Sequence, residues 1–417
     1  MSAPTHNPTA ARSLKSARVA VVSAFAIAGF VLATWVVNIP SVEARTGISH
    51  GTLGTLLLFI GLGAFIGMQV SGPLTDRFGG KSVTIAGGIL SCAAVVLPAL
   101  ATNAPTLGVA LFVFGLGHGM IDVGMNSQAV EVERAYGRPI MSSFHAFFSL
   151  GGAAGAVLGS ALIAVHLPLV WALTIPALIA LAGLAVLTPF LIPHTPVQVD
   201  GAETAAPTRN RMTRSIWMLG AIAFLLMLAE GAANDWSALQ IRQHLDASPA
   251  SAGYGFAAFS VTMTIGRLVA DRVVTAIGPV RVVRFGALTG ALGLLLVVLA
   301  PVLALNLLGW GLLGIGLSGC VPQIFTAAGN LPDGTQGVNI SRVVGMGYLG
   351  LLAGPAVVGW VSELTSITEA LLIPLVFCAA ASALAGALRR PGGTRPTGTV
   401  TRTADQVVSP DPDLTSR

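Results

Sequence analysis

The chain has 417 residues, of which 54% are hydrophobic and only 9% are charged. A soluble globular protein of this length needs far more charge to cover its surface, so the composition predicts an integral membrane protein. The net charge of +5 then reflects membrane topology, and it does not indicate a nucleic-acid partner.

Long runs without Asp, Glu, Lys or Arg predict an all-α membrane domain. A bilayer core of about 30 Å needs about 20 helical residues, so each of the three longest runs has room for two spans. Residues 215–237 form a further span that contains Glu230 and Asp235, which brings the prediction to twelve transmembrane helices. The charge-free runs are 19–42, 46–75, 82–121, 139–199, 247–266, 285–332, 343–362 and 370–388.

A polar stretch divides the predicted spans into two groups of six. When the N-terminus is placed in the cytoplasm, only Arg45 and Arg242 of the 22 Lys and Arg residues fall outside. This asymmetry predicts a multi-pass protein of the inner cell membrane with both termini in the cytoplasm. The predicted parts are a cytoplasmic tail, a six-helix bundle, a cytoplasmic linker, a second six-helix bundle and a disordered tail, at 1–17, 18–194, 195–214, 215–388 and 389–417.

No pattern typical of an enzyme or a cofactor site stands out. Cys92, Cys320 and Cys378 are scattered through apolar spans, so neither a disulfide framework nor a metal site is predicted. The chain has no Walker sequence and no recognisable nucleophile–base pair, which disfavours ATP-driven transport and catalysis.

Two charged loops indicate that the two halves are duplicates of one another. Residues 72–81 and 266–278 each place an Asp-Arg pair and glycines between long apolar runs, and Asp76 and Asp271 are 195 positions apart. Two related halves that move against each other are typical of secondary transporters.

The first of these loops, Gly-Pro-Leu-Thr-Asp-Arg-Phe-Gly-Gly-Lys at 72–81, resembles the signature of the major facilitator superfamily between spans 2 and 3. The second loop resembles its degenerate copy. Blocks that begin at Asn126, His145 and Ala229 resemble the fucose-permease-like branch and, within it, the YbjJ/MosC group. The resemblance implies two pseudo-symmetric six-helix bundles, alternating access, and a central cavity lined by spans 1, 4, 7 and 10.

Asp122 is the clearest ionisable group at membrane depth. It lies nine residues before Glu131, which is about 13 Å along a helix. His118, Asp122 and Asn126 follow an i, i+4, i+8 spacing, so they form one polar stripe. An offset of 196 places Ser318 opposite Asp122 in the second half. Since intramembrane acids are rare and usually functional, the stripe is a candidate solute or proton site; the alternative is a structural acid satisfied by its neighbours.

Glu230 and Asn234 in span 7 are the second candidates. The same offset pairs them with Thr34 and Asn38 in span 1, where Trp35 also stands. The fucose-permease pattern has an acid in span 1, and this chain has none there. Glu230 is predicted to bind the solute or carry a proton; a Glu230–Asn234 hydrogen bond that shapes the helix is the alternative.

The duplicated loops predict an inner gate. A carboxylate at the end of span 2 can bind the positive N-terminus of a neighbouring helix, or an arginine such as Arg134 across the seam between the halves. The alternative for Arg77 and Lys81 is that they only set topology. The predicted gating residues are Gly72, Asp76, Arg77, Lys81 and Arg134 in the first half and Gly266, Asp271 and Arg272 in the second.

Together these features predict a secondary transporter of a small polar solute, coupled to protons. The resemblance implies a sugar or polyol-like solute. Efflux of drugs or metabolites by proton antiport and a transport-inactive membrane sensor remain as alternatives. The expected partners are the solute, protons and the lipid bilayer, and the carrier is expected to act as a monomer without cofactor, metal or nucleic acid.

Overall fold

The computed structural model describes residues 8–48, 50–193, 211–332 and 334–389. All regular structure in these ranges is helical, which confirms the predicted fold class. The α-helices are α1 (Pro8–Thr46), α2 (His50–Ala94), α3 (Ala104–Tyr136), α4 (Met141–Ala164), α5 (Leu169–Leu187), α6 (Arg214–His244), α7 (Pro249–Ile277), α8 (Pro279–Leu299), α9 (Leu303–Leu317), α10 (Cys320–Gly329), α11 (Gln336–Ser362), α12 (Ile367–Ala370) and α13 (Leu372–Leu384).

The predicted tails and linker fall largely outside the described residues. The linker predicted at 195–214 is described only from residue 211, and the tail predicted at 389–417 only at its first residue. At the other end, α1 begins at Pro8, within the segment predicted to be an N-terminal tail. The domain boundaries therefore stay predictions.

Within the described residues, ten helical segments are long and apolar enough to cross a membrane. One of them covers most of α2, which has 45 residues and is bent at Gly79, so its length of about 68 Å suffices for two spans. The charges of Arg267, Asp271 and Arg272 interrupt α7, which is not among the ten. Counting α2 twice and adding α7 gives the predicted twelve, and the count itself stays a prediction.

The same helix contact recurs in both halves, α1 with α4 and α6 with α11, because glycines let the backbones approach. A Cβ atom on Gly151 of α4 would lie 2.0 Å from the carbonyl oxygen of Ala26 on α1. A Cβ atom on Gly350 of α11 would lie 2.2 Å from the carbonyl oxygen of Phe224 on α6. Close packing through small residues replaces the hydrophobic driving force that lipid does not supply. Gly151 and Gly350 are therefore packing positions.

Gly151→Ala is expected to destabilise the first half, because the new methyl group has no room against α1. Overpacking of this kind costs about 1–3 kcal/mol, so the protein purified in detergent should unfold several degrees below the wild type in a thermal scan. Gly253→Ala is the matched control, since a Cβ atom there meets nothing within 4 Å. Equal unfolding temperatures for the two variants would contradict the packing argument.

Candidate functional site

The polar stripe on α3 is buried and only partly satisfied. Asp122 is 5% exposed, and Asn126 donates from Nδ2 to its carbonyl oxygen at 2.9 Å and to its Oδ1 at 3.3 Å. Asp122 Oδ2, Asn126 Oδ1 and His118 Nδ1 are buried without a hydrogen-bond partner. An unpaired buried polar atom costs about 1–3 kcal/mol. The stripe therefore keeps acceptor capacity for a proton or for a solute hydroxyl.

Tyr348 on α11 is near acids of both halves. It lies within electrostatic range of Asp122, which comes from the first half, and of Glu230, which comes from the second. Sequence analysis did not single out Tyr348; the only signal is a hydroxyl-bearing ring in an otherwise apolar span.

Arg267 was predicted to lie in the charged loop at 266–278, and that placement is wrong. It lies inside α7, four residues and thus about 6 Å deeper than Asp271. Its Nη2 atom donates to Glu230 Oε1 at 3.3 Å, and its Nη1 atom donates to Ser149 Oγ of the other half at 2.8 Å. The side chains of Arg267 and Glu230 are 13% and 18% exposed. A charge pair therefore lies at membrane depth, in contact with both halves.

The remaining predicted site residues lie elsewhere. Asn234 is exposed. The suggested hydrogen bond between Glu230 and Asn234 is replaced by one from Arg267 to Glu230. Asn38 is buried and donates to the carbonyl oxygen of Thr34 at 2.9 Å. Trp35 is 1% exposed and packs in the hydrophobic core of the first half. A role for these residues in solute binding stays a prediction.

Asp76 caps the N-terminus of α11, across the seam between the halves. Its Oδ1 atom accepts from the backbone N–H of Gly337 at 2.8 Å, and its Oδ2 atom accepts from that of Val338 at 3.2 Å. The hydroxyl of Thr335 also donates to Oδ2. Of the two partners suggested for Asp76, the structure has the helix N-terminus, and Arg134 binds Asn330 instead.

Asp271 repeats this contact on the other seam. It accepts from the backbone N–H groups of Ser142 at 2.9 Å and Ser143 at 2.8 Å, which begin α4. Val338 and Ser142 are 196 positions apart, so the two contacts are related by the internal repeat. Each half therefore holds the N-terminus of a helix of the other half, where the helix dipole favours negative charge.

Glycines in the same loops allow close packing, at a seam in one case and within one half in the other. A Cβ atom on Gly72 would lie 2.4 Å from Ser341 Oγ of the other half, and one on Gly266 would lie 2.3 Å from Ser318 Oγ of its own half. Gly79 and Gly278 both have φ of 82°, which side chains rarely adopt, and there the chain turns into the next helix. The duplicated loops thus need glycine at these positions, either for the positive φ or because a side chain would not fit.

Arg134 lies where the two halves meet on the repeat axis. Its guanidinium group donates to the Oδ1 atom of Asn330, its own repeat mate, at 3.1 and 2.9 Å, and to the carbonyl oxygen of Gly329 at 3.2 Å. Glu133 beside it accepts from Thr326 Oγ1 at 2.8 Å. A cavity of about 1050 Å³ borders these contacts. Glu133 is a contact that sequence analysis did not assign.

The other charged loop residues face outward. Arg77 is exposed and lies over the ring of Phe78, with 5.0 Å from its guanidinium carbon to the ring centroid. Arg272 is exposed, and Lys81 is partly exposed. These positions suit topology signals, and the contacts between the halves come from the neighbouring aspartates.

Two helical halves with matching seams, and with an acid at membrane depth in each half, are typical of a secondary transporter. The sequence matches the Major Facilitator Superfamily over residues 19–239 and 219–410. It is 36% identical over 347 residues to an MFS-type transporter of Yersinia pestis, covering 83% of this chain and 89% of that protein. It is 30% identical over 353 residues to the membrane protein MosC of Rhizobium meliloti, covering 85% of each.

The fold agrees with these relatives. The structure matches the crystal structure of the Escherichia coli fucose:proton symporter FucP with a TM-score of 0.73 and 19% identity, over 89% of this chain and 98% of that one. The chain belongs to the Major Facilitator Superfamily and is a multi-pass membrane transporter of a solute, not an enzyme. The family resemblance of the sequence is thereby confirmed.

Proposed function

We propose that this transporter carries a small polar solute by alternating access and couples that movement to protons through Asp122. The solute class suggested by the branch is a sugar or a polyol-like compound. The carrier works as a monomer in the inner membrane with both termini in the cytoplasm. Asp122 and Glu230 bind the solute or the proton, with His118, Asn126, Asn234, Asn38 and Trp35 as the further predicted residues.

One observation carries the proposal: at membrane depth Glu230 of the second half binds Arg267, which donates to Ser149 of the first half. A site that both bundles build changes its access when the bundles rock against each other. An acid there that binds a proton in one state and releases it in the other links the proton to that rocking movement. Asp122 suits this role because Oδ2 is buried and unpaired.

The inner gate of this proposal consists of the two seams that Asp76 and Asp271 hold. In the closed gate each aspartate binds the N-terminus of a helix in the other half. Opening to the cytoplasm requires both contacts to break, while Gly72 separates from Ser341 of the other half. Rocking of one bundle therefore exchanges contacts at the gate for access to the central acids.

Uptake into proteoliposomes tests the proposed function. The wild-type protein is reconstituted and challenged with labelled hexoses, deoxyhexoses and polyols, with and without an inward proton gradient. At least one solute should accumulate only when the gradient is present. Accumulation driven by an opposite gradient would indicate the antiport alternative. No gradient-dependent movement of any solute would overturn the proposal and favour a transport-inactive sensor.

A further inference from the structure

Arg267 carries a permanent positive charge at membrane depth, and the proposed mechanism gives it no role in binding the solute or the proton. Its charge stands in a helix between the bundles, where a cation is costly without a partner and usually serves function. It contacts the second half through Glu230 and the first half through Ser149. Its Nε atom is buried and has no hydrogen-bond partner. The guanidinium group is therefore placed at the site with donor capacity left over.

The contact between Arg267 and Glu230 is a single one. One distance, 3.3 Å from Nη2 to Oε1, joins the two groups, whereas carboxylates bound strongly to arginine usually make two shorter parallel hydrogen bonds. Both groups are also partly accessible. Another carboxylate that reaches the guanidinium group can therefore compete with Glu230.

The groups around this pair allow such an exchange. Arg267 is faced by His145 and Ser149 on α4, by Glu230 on α6 and by Asp271 one turn along its own helix. Tyr348 lies within electrostatic range of Glu230 and of Asp122 on α3. Of these groups only Arg267 is a permanent cation, so it is the one place among them that attracts an anion.

We propose that Arg267 recognises a carboxylate on the solute, and that the solute is a hydroxylated monocarboxylate such as a sugar acid. The proposal rests on the proposed function and narrows its solute class. The solute carboxylate replaces Glu230 on Arg267. The hydroxyl groups meet the unpaired acceptors of Asp122 and Asn126.

The exchange is balanced in charge and in protons. Before binding, the cation of Arg267 is paired with the anion of Glu230. After binding, Arg267 is paired with the solute anion. The proton that Asp122 took up from the side of solute entry leaves Asp122 and forms an O–H bond with the displaced Glu230. One proton thus enters with one anion by way of Asp122, so the charge of the site does not change. An uncompensated carboxylate at this depth would be far more costly.

Thermal stabilisation of the purified full-length protein by matched solute pairs tests this assignment without a transport assay. The probes are D-gluconate with D-glucitol, D-galacturonate with D-galactose, and L-fuconate with L-fucose. Ligand binding raises the unfolding temperature in proportion to RT ln(1 + [L]/Kd). At least one acid should stabilise the wild type, and its neutral mate should not. Stabilisation by no acid, or equally by the neutral mates, would overturn the assignment.

Three variants separate recognition from a merely structural role. Arg267→Gln should weaken binding of the acid by a factor of about 30 or more, because a charge-assisted pair is lost. Glu230→Gln should tighten it about tenfold, because the competitor of the solute is removed. Ser149→Ala is the control that leaves the charge pair in place. Weaker binding of the acid in Glu230→Gln would overturn the exchange.

The outcome is distinguishable from a failure of the proposed function. If neutral sugars stabilise the protein and the acids do not, Arg267 is no carboxylate site, yet proton-coupled uptake of a neutral solute still stands. If no solute moves with the proton gradient in proteoliposomes, the transport proposal itself fails, whichever solute binds.

Discussion

Asp122→Asn is expected to abolish accumulation of the solute and to leave exchange intact. The amide has the shape and neutral charge of the protonated acid, so the solute site and the rocking movement survive in a permanently proton-loaded form. The site loses the group that binds a proton on one side and releases it on the other. Solute then equilibrates across the membrane in place of accumulating.

The magnitude follows from the driving force. For a one-proton symporter a gradient of one pH unit supplies about 1.4 kcal/mol, which is a tenfold accumulation. In proteoliposomes the variant should reach a ratio near one, while counterflow of labelled against unlabelled solute stays within about threefold of the wild type. Asp235→Asn, an exposed acid on α6, is the control and should accumulate normally. Tenfold accumulation by Asp122→Asn would show that the proton binds elsewhere.

The fold was largely predictable because lipid imposes a simple rule on sequence. Apolar runs of sufficient length must be helices there, since every backbone group has to be satisfied internally. This rule says less where charge enters a helix. Arg267 stands inside α7, but a charge near the end of an apolar run reads as the start of a loop. The break between α9 and α10 likewise could not be predicted, because both helices lie within one charge-free run at 285–332.

The candidate site was predictable only as far as single helices reach. The i, i+4, i+8 spacing of His118, Asp122 and Asn126 needs no tertiary structure. The approach of Tyr348 to both acids depends on how α11 packs between the halves, and no sequence pattern records that. For Asp76 the sequence left a helix N-terminus and an arginine as alternatives, because backbone N–H groups at a helix start are present in any sequence and leave no side-chain signature.

Asp76→Ala is expected to open the inner gate as a whole, including the seam that Asp76 does not touch. The substitution removes charge-assisted hydrogen bonds to two backbone N–H groups and leaves the N-terminus of α11 without its anion. A loss of about 2–4 kcal/mol from the closed state shifts the equilibrium at least thirtyfold. Solute accumulation should fall accordingly, because the carrier leaks towards the open state.

The measurement uses a cysteine on the opposite seam, the one that Asp271 holds, as a reporter of opening. Ser142→Cys lies at the start of α4, where the native side chain is 0% exposed, and the three native cysteines are buried. Alkylation of this cysteine should be about thirtyfold faster with Asp76→Ala than without it. In the reciprocal experiment, Asp271→Ala should expose Ser127→Cys on the seam that Asp76 holds. The native hydroxyl of Ser127 accepts from Gln336 of α11 at 3.1 Å, and the side chain is 1% exposed.

This arrangement separates rigid-body opening from local fraying. If the bundles rock as units, opening one seam must expose the other, because two-state interfaces do not deform continuously. Asp76→Asn should give an intermediate rate, since an amide oxygen can still accept one of the two N–H groups. Glu363→Ala, at the far end of α11 and exposed, should leave both rates unchanged. Unchanged labelling at the distant seam in Asp76→Ala would mean that the aspartates cap helices without gating transport.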